Sequence, residues 1–237
     1  MRSLRAWVLL LCTALLAAVL PGCARTGNTD LPAERVLFIG NSFTFFNGGV
    51  DQMLKGLAPN TEVESATHGG YTLAMHLNDP STMATLRRGG WTRVVLQEQS
   101  SLPVLSYPDF FDAAKVMIAE VRKVHAAPML LMTWARPDVV GVDTAALRSA
   151  YTTAGRDLTT MVVPAGTAFG ASLAAHPGLV LNQSDGHPTR EGTYLAGCVV
   201  YASLFGMSPV GNTFTGGLDA DVVAVLQQAA AAATRHG

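Results

Sequence analysis

Three side chains in the sequence are of the types that nucleophilic catalysis requires. Ser42 lies in the turn Gly40-Asn41-Ser42, directly after an apolar run, and Asp185 and His187 lie in the segment Asp185-Gly186-His187-Pro188. A serine hydroxyl becomes a useful nucleophile when a histidine takes its proton and a carboxylate orients that histidine. We therefore predict Ser42 as nucleophile, His187 as base and Asp185 as acid. The alternative for Ser42 alone is a helix cap.

The segments around these residues alternate between two patterns, which define the elements that must position them. Short apolar runs predict strands over 35–40, 61–67, 93–97, 128–134 and 179–182. Amphipathic stretches predict helices over 47–57, 81–88, 107–125, 143–161, 189–205 and 218–234. This alternation predicts βαβ units, and hence a parallel five-stranded sheet in a three-layer α/β/α sandwich. Ligands bind at the carboxyl ends of such strands, so we expect the chemistry near 40–43, 68–71, 97–100, 134–136 and 182–188.

The composition limits the class of function. The chain has 237 residues, of which 49% are hydrophobic, and this fits one domain with a full core. Its formal net charge of −1 gives no basic footprint, so we expect no nucleic-acid partner. No metal-ligand motif is present and no Gly-x-Gly-x-x-Gly follows the first strand, so we expect neither a metal nor a dinucleotide cofactor.

The N-terminal residues have the layout of an export signal. Arg2 and Arg5 precede an uncharged apolar run, and Leu20-Pro21-Gly22-Cys23 follows it. This ending resembles a bacterial lipobox, which predicts a lipoprotein signal peptide over 1–22, lipidation of Cys23, a tether over 23–34 and a domain over 35–237. The localisation expected is the cell envelope, with membrane contact only through the lipid. The alternative is an ordinary cleaved signal and a secreted or periplasmic protein.

The cysteines are compatible with that layout. Cys198 is the one cysteine inside the predicted domain, so no intrachain disulfide is expected after processing. We interpret it as a buried small hydrophobic residue.

Two separated blocks resemble those of a known family. The first is Ile39-Gly40-Asn41-Ser42, and the last is Ser184-Asp185-Gly186-His187-Pro188 with Gly192-Thr193-Tyr194-Leu195-Ala196 after it. The chain resembles the SGNH/GDSL hydrolases, a group of esterases, lipases and carbohydrate deacetylases, over roughly residues 35–206. The resemblance implies a flavodoxin-like three-layer fold and supports the roles of Ser42 and His187.

The two middle blocks of that family supply donors to an oxyanion hole. The resemblance implies backbone N–H groups from Ser42 and from a glycine after the second strand, for which Gly70 is favoured over Gly69. Where the family has Gly-x-Asn, this chain has Gln97-Glu98-Gln99, so an amide on a longer stem takes the role of the asparagine. Gln99 is favoured and Gln97 is the alternative. Segments 96–100 and 133–136 are similar to those of an exported SGNH-like subgroup of poorly defined function.

The acid departs from the family pattern. The family places it three residues before the histidine, where this chain has Ser184, and Asp185 is two residues before His187. Asp185 reaches the imidazole, or another carboxylate replaces it, or a Ser–His dyad operates with a backbone carbonyl.

Several residues at the predicted strand ends are candidates to line the substrate. They are Asn41, His68, Gln97, Trp134 and Arg136. Trp134 is suited to stacking on a sugar or acyl group, and Arg136 to an anionic group. The alternatives are packing in the wall of the site for Trp134 and a surface ion pair for Arg136.

These observations predict an exported serine ester hydrolase with an acyl-enzyme mechanism. The substrate expected is a carbohydrate or small-molecule ester carrying an acetyl or other short acyl group, with a small lipid as the second choice. The sequence does not determine the oligomeric state. A rival of another class is a surface-tethered, catalytically weak carbohydrate-binding protein on the same scaffold.

Overall fold

A computed structural model describes residues 33–235. The predicted signal peptide, Cys23 and most of the predicted tether lie outside this range. The strands are β1 (Arg35–Gly40), β2 (Glu62–Thr67), β3 (Arg93–Leu96), β4 (Ala127–Leu131) and β5 (Met161–Val163). The helices are α1 (Ser42–Phe45), α2 (Val50–Leu57), α3 (Leu73–Leu77), α4 (Pro80–Arg87), α5 (Leu102–Leu105), α6 (Tyr107–Lys123), α7 (Thr144–Asp157), α8 (Ala165–Ala175), α9 (Arg190–Phe205) and α10 (Ala220–Thr234).

The five strands form one parallel sheet in the order β2-β1-β3-β4-β5. Side chains alternate across β1, so Val36 and Phe38 enter one hydrophobic core while Leu37 and Ile39 enter the other. The first core is covered by α2, α8, α9 and α10, and the second by α3, α4, α6 and α7. Because apolar side chains cover both faces, the sheet is the middle of a three-layer α/β/α sandwich, as the sequence predicts.

The fifth strand is not where the sequence predicts it. The helix expected over 143–161 ends at Asp157, and Thr159 then takes a positive φ of 49° that breaks the helical path. Met161 to Val163 pairs instead with β4, in the register Met129 to Met161. The predicted strand over 179–182 is wrong.

Residues 179–182 lie under α9 rather than beside the sheet. Leu181 is buried in the first core, and its carbonyl oxygen lies 2.0 Å from the position that a Cβ on Gly192 would occupy. Asn182 makes one isolated antiparallel bridge to Pro188. The segment therefore packs against the first turn of α9 and holds it in place through Leu181 and Asn182.

Other boundaries shift by a few residues, and short helices are added. The predicted helix over 47–57 is a 3-10 turn over Phe46–Gly48 followed by α2, while α1, α3, α5 and α8 have no counterpart among the predicted helix ranges. In residues 33–235 no helix is both long and apolar enough to cross a membrane. Cys198 is a buried free thiol.

Candidate active site

The first and last sequence blocks meet at the carboxyl edge of the sheet. β1 ends at Gly40, and α1 begins two residues later at Ser42. His187 approaches the same edge from the loop before α9. The Ser42 Oγ and the His187 Nε2 are 2.8 Å apart, which is the distance that the predicted roles of nucleophile and base require.

Asp185 contacts the histidine through both carboxylate oxygens. The His187 Nδ1 lies 2.9 Å from Asp185 Oδ2, and the His187 backbone N–H donates to Oδ1 at 3.1 Å. The hydrogen bond from the His187 side chain, followed by the one from its backbone, holds the pKa of Asp185 below its ordinary value. The Asp185 carboxylate is thus in contact with the imidazole, while Ser184 lines a neighbouring cavity.

Two aromatic rings support the imidazole, and we did not identify this role from the sequence. The ring centroid of Phe46 lies 4.5 Å from that of His187, and the centroid of Phe43 lies 5.4 Å away. The Asn47 Nδ2 donates to the Pro188 carbonyl at 2.6 Å and ties the nucleophile segment to the histidine loop. The run Phe43-Thr44-Phe45-Phe46 directly after the nucleophile was the available signal.

A buried amide supports the nucleophile turn from below. The Gln97 Oε1 accepts hydrogen bonds from the Asn41 N–H at 2.8 Å and from the Thr44 hydroxyl at 2.9 Å. The Gln97 Nε2 donates to the Glu98 carbonyl, and the side chain is buried. Since both ends of this amide have partners inside the protein, the expectation that Gln97 lines the substrate or donates to the oxyanion is contradicted.

Asn41 is also a structural residue of this turn. Its Oδ1 accepts the Phe43 N–H at 3.1 Å, and its Nδ2 donates to the Tyr71 carbonyl at 2.9 Å. Only 2% of the residue is exposed. Asn41 therefore caps α1 and ties it to the loop after β2, which contradicts the expectation that its side chain lines the substrate.

A second histidine lies beneath the turn and was not identified as part of the site from the sequence. His76 is fully buried, with its Nε2 2.9 Å from the Gly40 carbonyl oxygen and its Nδ1 3.0 Å from the Thr82 hydroxyl. Burial lowers the pKa of His76. Because a carbonyl only accepts, Nε2 carries a proton and donates it to the end of β1.

The oxyanion donors implied by the resemblance have free hydrogen-bonding capacity. The backbone N–H groups of Ser42 and Gly70 have no hydrogen-bond partner within residues 33–235, and Gly70 is exposed with a φ of 74°. The Gln99 Oε1 accepts from the N–H groups of Ser101 and Leu102, at 2.9 and 3.0 Å. These two bonds fix the orientation of the amide, and its Nε2 has no hydrogen-bond partner among residues 33–235.

Trp134 packs in the wall of the site. Only 1% of the residue is exposed, and its ring is stacked between Phe43 and Phe169 at centroid distances of 5.0 and 4.3 Å. Its Nε1 donates to the Gly186 carbonyl at 2.9 Å. A ring covered on both faces has no free face for a sugar, so the expectation that Trp134 stacks on a substrate is contradicted.

Arg136 forms an ion pair with Asp138. Its Nε and Nη2 bind the two carboxylate oxygens of Asp138 at 2.8 and 2.6 Å, and its Nη1 donates to the Ser100 hydroxyl at 2.7 Å. The hydrogen bond to Asp138 raises the pKa of Arg136. With all three nitrogens engaged, the structure shows the ion-pair alternative instead of a free cation for a substrate.

His68 is the one predicted lining residue whose side chain remains substantially exposed. It follows the end of β2, its ring lies 4.6 Å from that of Tyr71, and its Nε2 is 3.4 Å from an Asp79 oxygen. Its role against a substrate stays a prediction. Within the described range, no group of three or more His, Cys, Asp or Glu side chains is arranged to hold a metal ion.

Comparison with known proteins adds evidence on the fold. No protein-family model matches the sequence, and no curated protein does either. A protein from Slackia heliotrinireducens, provisionally described as an SGNH hydrolase, is 27% identical, with 73% of this chain and 100% of that one covered and a TM-score of 0.63.

Two further structures agree in fold at lower identity. A DUF4886 family protein from Bacteroides uniformis is 18% identical, with 85% of this chain and 95% of that one covered and a TM-score of 0.70. An acetyl xylan esterase is 14% identical, with 72% of this chain and 99% of that one covered and a TM-score of 0.60. The chain thus resembles the SGNH/GDSL hydrolases and has their three-layer α/β/α fold.

Proposed function

We propose that this protein is a serine ester hydrolase in which Ser42, His187 and Asp185 act together. The observation that carries the proposal is the continuous chain of contacts from Ser42 Oγ to His187 Nε2 and from His187 Nδ1 to Asp185 Oδ2, at 2.8 and 2.9 Å. A histidine held in this way accepts the serine proton and carries the resulting charge beside a carboxylate.

The reaction proceeds in two acyl transfers. Ser42 Oγ attacks the ester carbonyl carbon while its proton moves to His187 Nε2, and the N–H groups of Ser42 and Gly70 with the Gln99 amide stabilise the oxyanion. His187 then returns the proton to the leaving alcohol oxygen, and the C–O bond to that alcohol breaks. Water repeats the sequence on the acyl-enzyme and releases the carboxylic acid.

The substrate that we propose is an O-acetylated or short-acyl carbohydrate, with small esters as the wider class. The Asp185 side chain is 60% exposed, and Gly69 and Gly70 are exposed, so the edge around the nucleophile is open to a bulky alcohol such as a sugar. One of the proteins that share this fold is described as an acetyl xylan esterase. We expect kcat/KM to fall as the acyl group of model esters is lengthened.

The proposal is tested by labelling with a fluorophosphonate, which reacts with activated serines. The wild-type protein should be labelled at Ser42, and Ser42→Ala and His187→Ala should not be labelled. Ser208→Ala, which removes an exposed serine after α9, is the matched control and should be labelled as wild type. A folded wild-type protein that stays unlabelled and turns over no ester, yet binds carbohydrate, would instead support the binding-protein rival.

We also propose that the enzyme is exported and held at the cell envelope through Cys23. The support is the sequence of the first 23 residues, which lie outside the described range. Fractionation of cells expressing the full chain should place it with membranes and should place Cys23→Ala in another fraction. Growth with a labelled fatty acid completes the test, because a wild-type protein that incorporates no label would exclude a lipid anchor.

A further inference from the structure

Glu98 is a buried carboxyl group to which the proposed mechanism assigns no role. It lies two residues after β3, between Gln97 and Gln99, and is fully buried. Within residues 33–235 it pairs with no lysine, arginine or histidine. A buried carboxylate without a countercharge is costly, so what this group contacts is informative.

The carboxyl group bridges the two loops that carry the second and third oxyanion donors. Its Oε1 accepts the Gln99 N–H at 2.6 Å and the Leu73 N–H at 3.1 Å, and its Oε2 lies 3.3 Å from the same Leu73 nitrogen. Leu73 is the first residue of α3 and follows Gly70 by three residues. One side chain therefore fixes the separation between the Gly70 loop and the Gln99 loop.

The N-cap residue of α3 leaves the Leu73 N–H for Glu98. The Thr72 hydroxyl already caps α3 by accepting the Met75 N–H at 3.1 Å. Burial raises the pKa of Glu98 to about 7, against the hydrogen bonds from Gln99 and Leu73, which lower it. Strongly perturbed carboxyl groups of this kind concentrate at functional sites.

We propose that Glu98 is a positioning residue of the oxyanion hole, which sets the distance between the Gly70 N–H and the Gln99 amide. This proposal rests on the proposed ester hydrolase function. Its chemical basis is the acceptor oxygen of Glu98 and the length of its side chain. A donor displaced by a fraction of an ångström loses stabilisation of the transition state while binding of the ground-state ester is retained.

Two conservative variants separate position from charge. Glu98→Asp keeps the carboxylate but withdraws it by one methylene, whereas Glu98→Gln keeps the acceptor Oε1 at its place. We expect Glu98→Asp to lower kcat about 10- to 100-fold with KM within about 3-fold, somewhat less than the 10²–10³ for loss of a whole donor. Glu98→Gln should keep kcat within about 5-fold of wild type.

The matched control is Gln227→Asn, which shortens another buried side chain that accepts a backbone N–H. The Gln227 Oε1 accepts the Gly211 N–H at 3.0 Å, and its partners lie on α9 and in the loop before α10. We expect this variant to lose stability without a change in kcat. The hydrogen-exchange rates of the backbone amides at residues 70–73 and 97–102 should rise in Glu98→Asp. In Gln227→Asn the rates at these residues should stay as in the wild type.

The outcomes distinguish this proposal from the proposed function. Wild-type kcat in Glu98→Asp, or a larger loss in Glu98→Gln than in Glu98→Asp, would overturn the positioning role while the hydrolase remains. A wild-type protein without Ser42 labelling or ester turnover would overturn both.

Discussion

The contact between Asp185 and His187 depends on the single residue between them. Gly186 has a φ of 82°, a conformation that glycine adopts without penalty, and this turns the Asp185 carboxylate back toward the imidazole. One carboxylate oxygen meets the Nδ1 and the other meets the backbone N–H of the same residue. A spacing of two residues thus gives the contact for which the SGNH/GDSL hydrolases, which the chain resembles, use three.

The first prediction is that Asp185→Asn lowers kcat about 100-fold or more. The amide no longer stabilises the charged imidazole and presents a donor as well as an acceptor to Nδ1. Ser184→Ala is the control, because it occupies the position three residues before His187, and we expect near wild-type rates. Steady-state kinetics on a short-acyl ester measure both, and a loss under about 5-fold in Asp185→Asn would indicate a Ser–His dyad.

At the scale of residues, the sequence predicts which residue types form the site better than it predicts the orientation of their side chains. Ser42 and His187 follow from residue type and place in the strand order, and the structure brings them together. Gln97 and Gln99 carry the same amide, and only hydrogen-bond partners and burial separate the structural one from the candidate donor. The same holds for Trp134, whose burial depends on Phe43 and Phe169 from distant parts of the chain.

At the scale of elements, the end of β4 holds the acid–base loop in place. The position that a Cβ on Gly186 would occupy lies 2.2 Å from the Arg136 Cδ, and the Trp134 indole donates to the Gly186 carbonyl. Arg136 is itself held by its paired contacts with Asp138. The loop before α9 is therefore seated against side chains that follow β4.

The second prediction is that Gly186→Ala impairs catalysis more than folding. A methyl group there meets Arg136 and strains the positive φ, so the His187 loop must move away from Ser42. We expect kcat to fall by about 10-fold or more, which is the size of loss expected when a catalytic group is displaced. Gly178→Ala is the control, since nothing lies within 4 Å of its added Cβ. Equal kinetics for the two variants would contradict this account.

The third prediction concerns the link between α3 and the end of β3 through Glu98. The folded protein keeps the Glu98 proton up to a pKa of about 7, whereas the unfolded chain releases it near the ordinary 4.5. The folded state therefore binds more protons between these values, and its stability falls as the pH rises from about 4.5 to about 7, by on the order of 3 kcal/mol.

Glu98→Gln removes this titration, so the stability of the variant relative to that of the wild type should increase as the pH rises. Urea unfolding at pH 5 and pH 8 measures the difference. The control is Gln227→Asn, which shortens a buried side chain that carries no titratable group, so its effect on stability should be equal at both pH values. A Glu98→Gln difference that is flat with pH would contradict the prediction.

The helices and strands were predictable where they are long enough to show a clear periodicity of hydrophobic residues. α6, α9 and α10 and the first four strands follow their sequence patterns within a few residues at most ends. β5 has three residues and follows directly on a helical pattern, so no periodicity separates it. The apolar run over 179–182 matches a strand equally well, and only the packing of Leu181 beneath Gly192 decides against it.

At the scale of the whole molecule, the residues that stabilise the fold and the residues of the candidate site lie in different parts of the structure. The two cores above and below the sheet bury the aliphatic side chains, while the candidate site consists of loops at one edge. α9 connects the two, because its N-terminus follows the His187 loop and most of its residues are buried. Its Cys198 is therefore a probe of the intact core that lies away from the chemistry.

The fourth prediction is that Cys198 reacts with thiol reagents only when the molecule unfolds. Cys198 is fully buried, and burial raises the pKa of its thiol to about 12. In the folded state, therefore, reagents do not reach the sulfur, and the reactive thiolate is not populated. In a chain carrying Cys12→Ser and Cys23→Ser, labelling in urea should coincide with the loss of helical circular dichroism. Ser208→Cys added to this background places a thiol at an exposed position and should react at once in native buffer. Labelling of Cys198 before the circular dichroism changes would mean that α9 opens independently of the sheet. The loop before α9 would then no longer hold His187 beside Ser42.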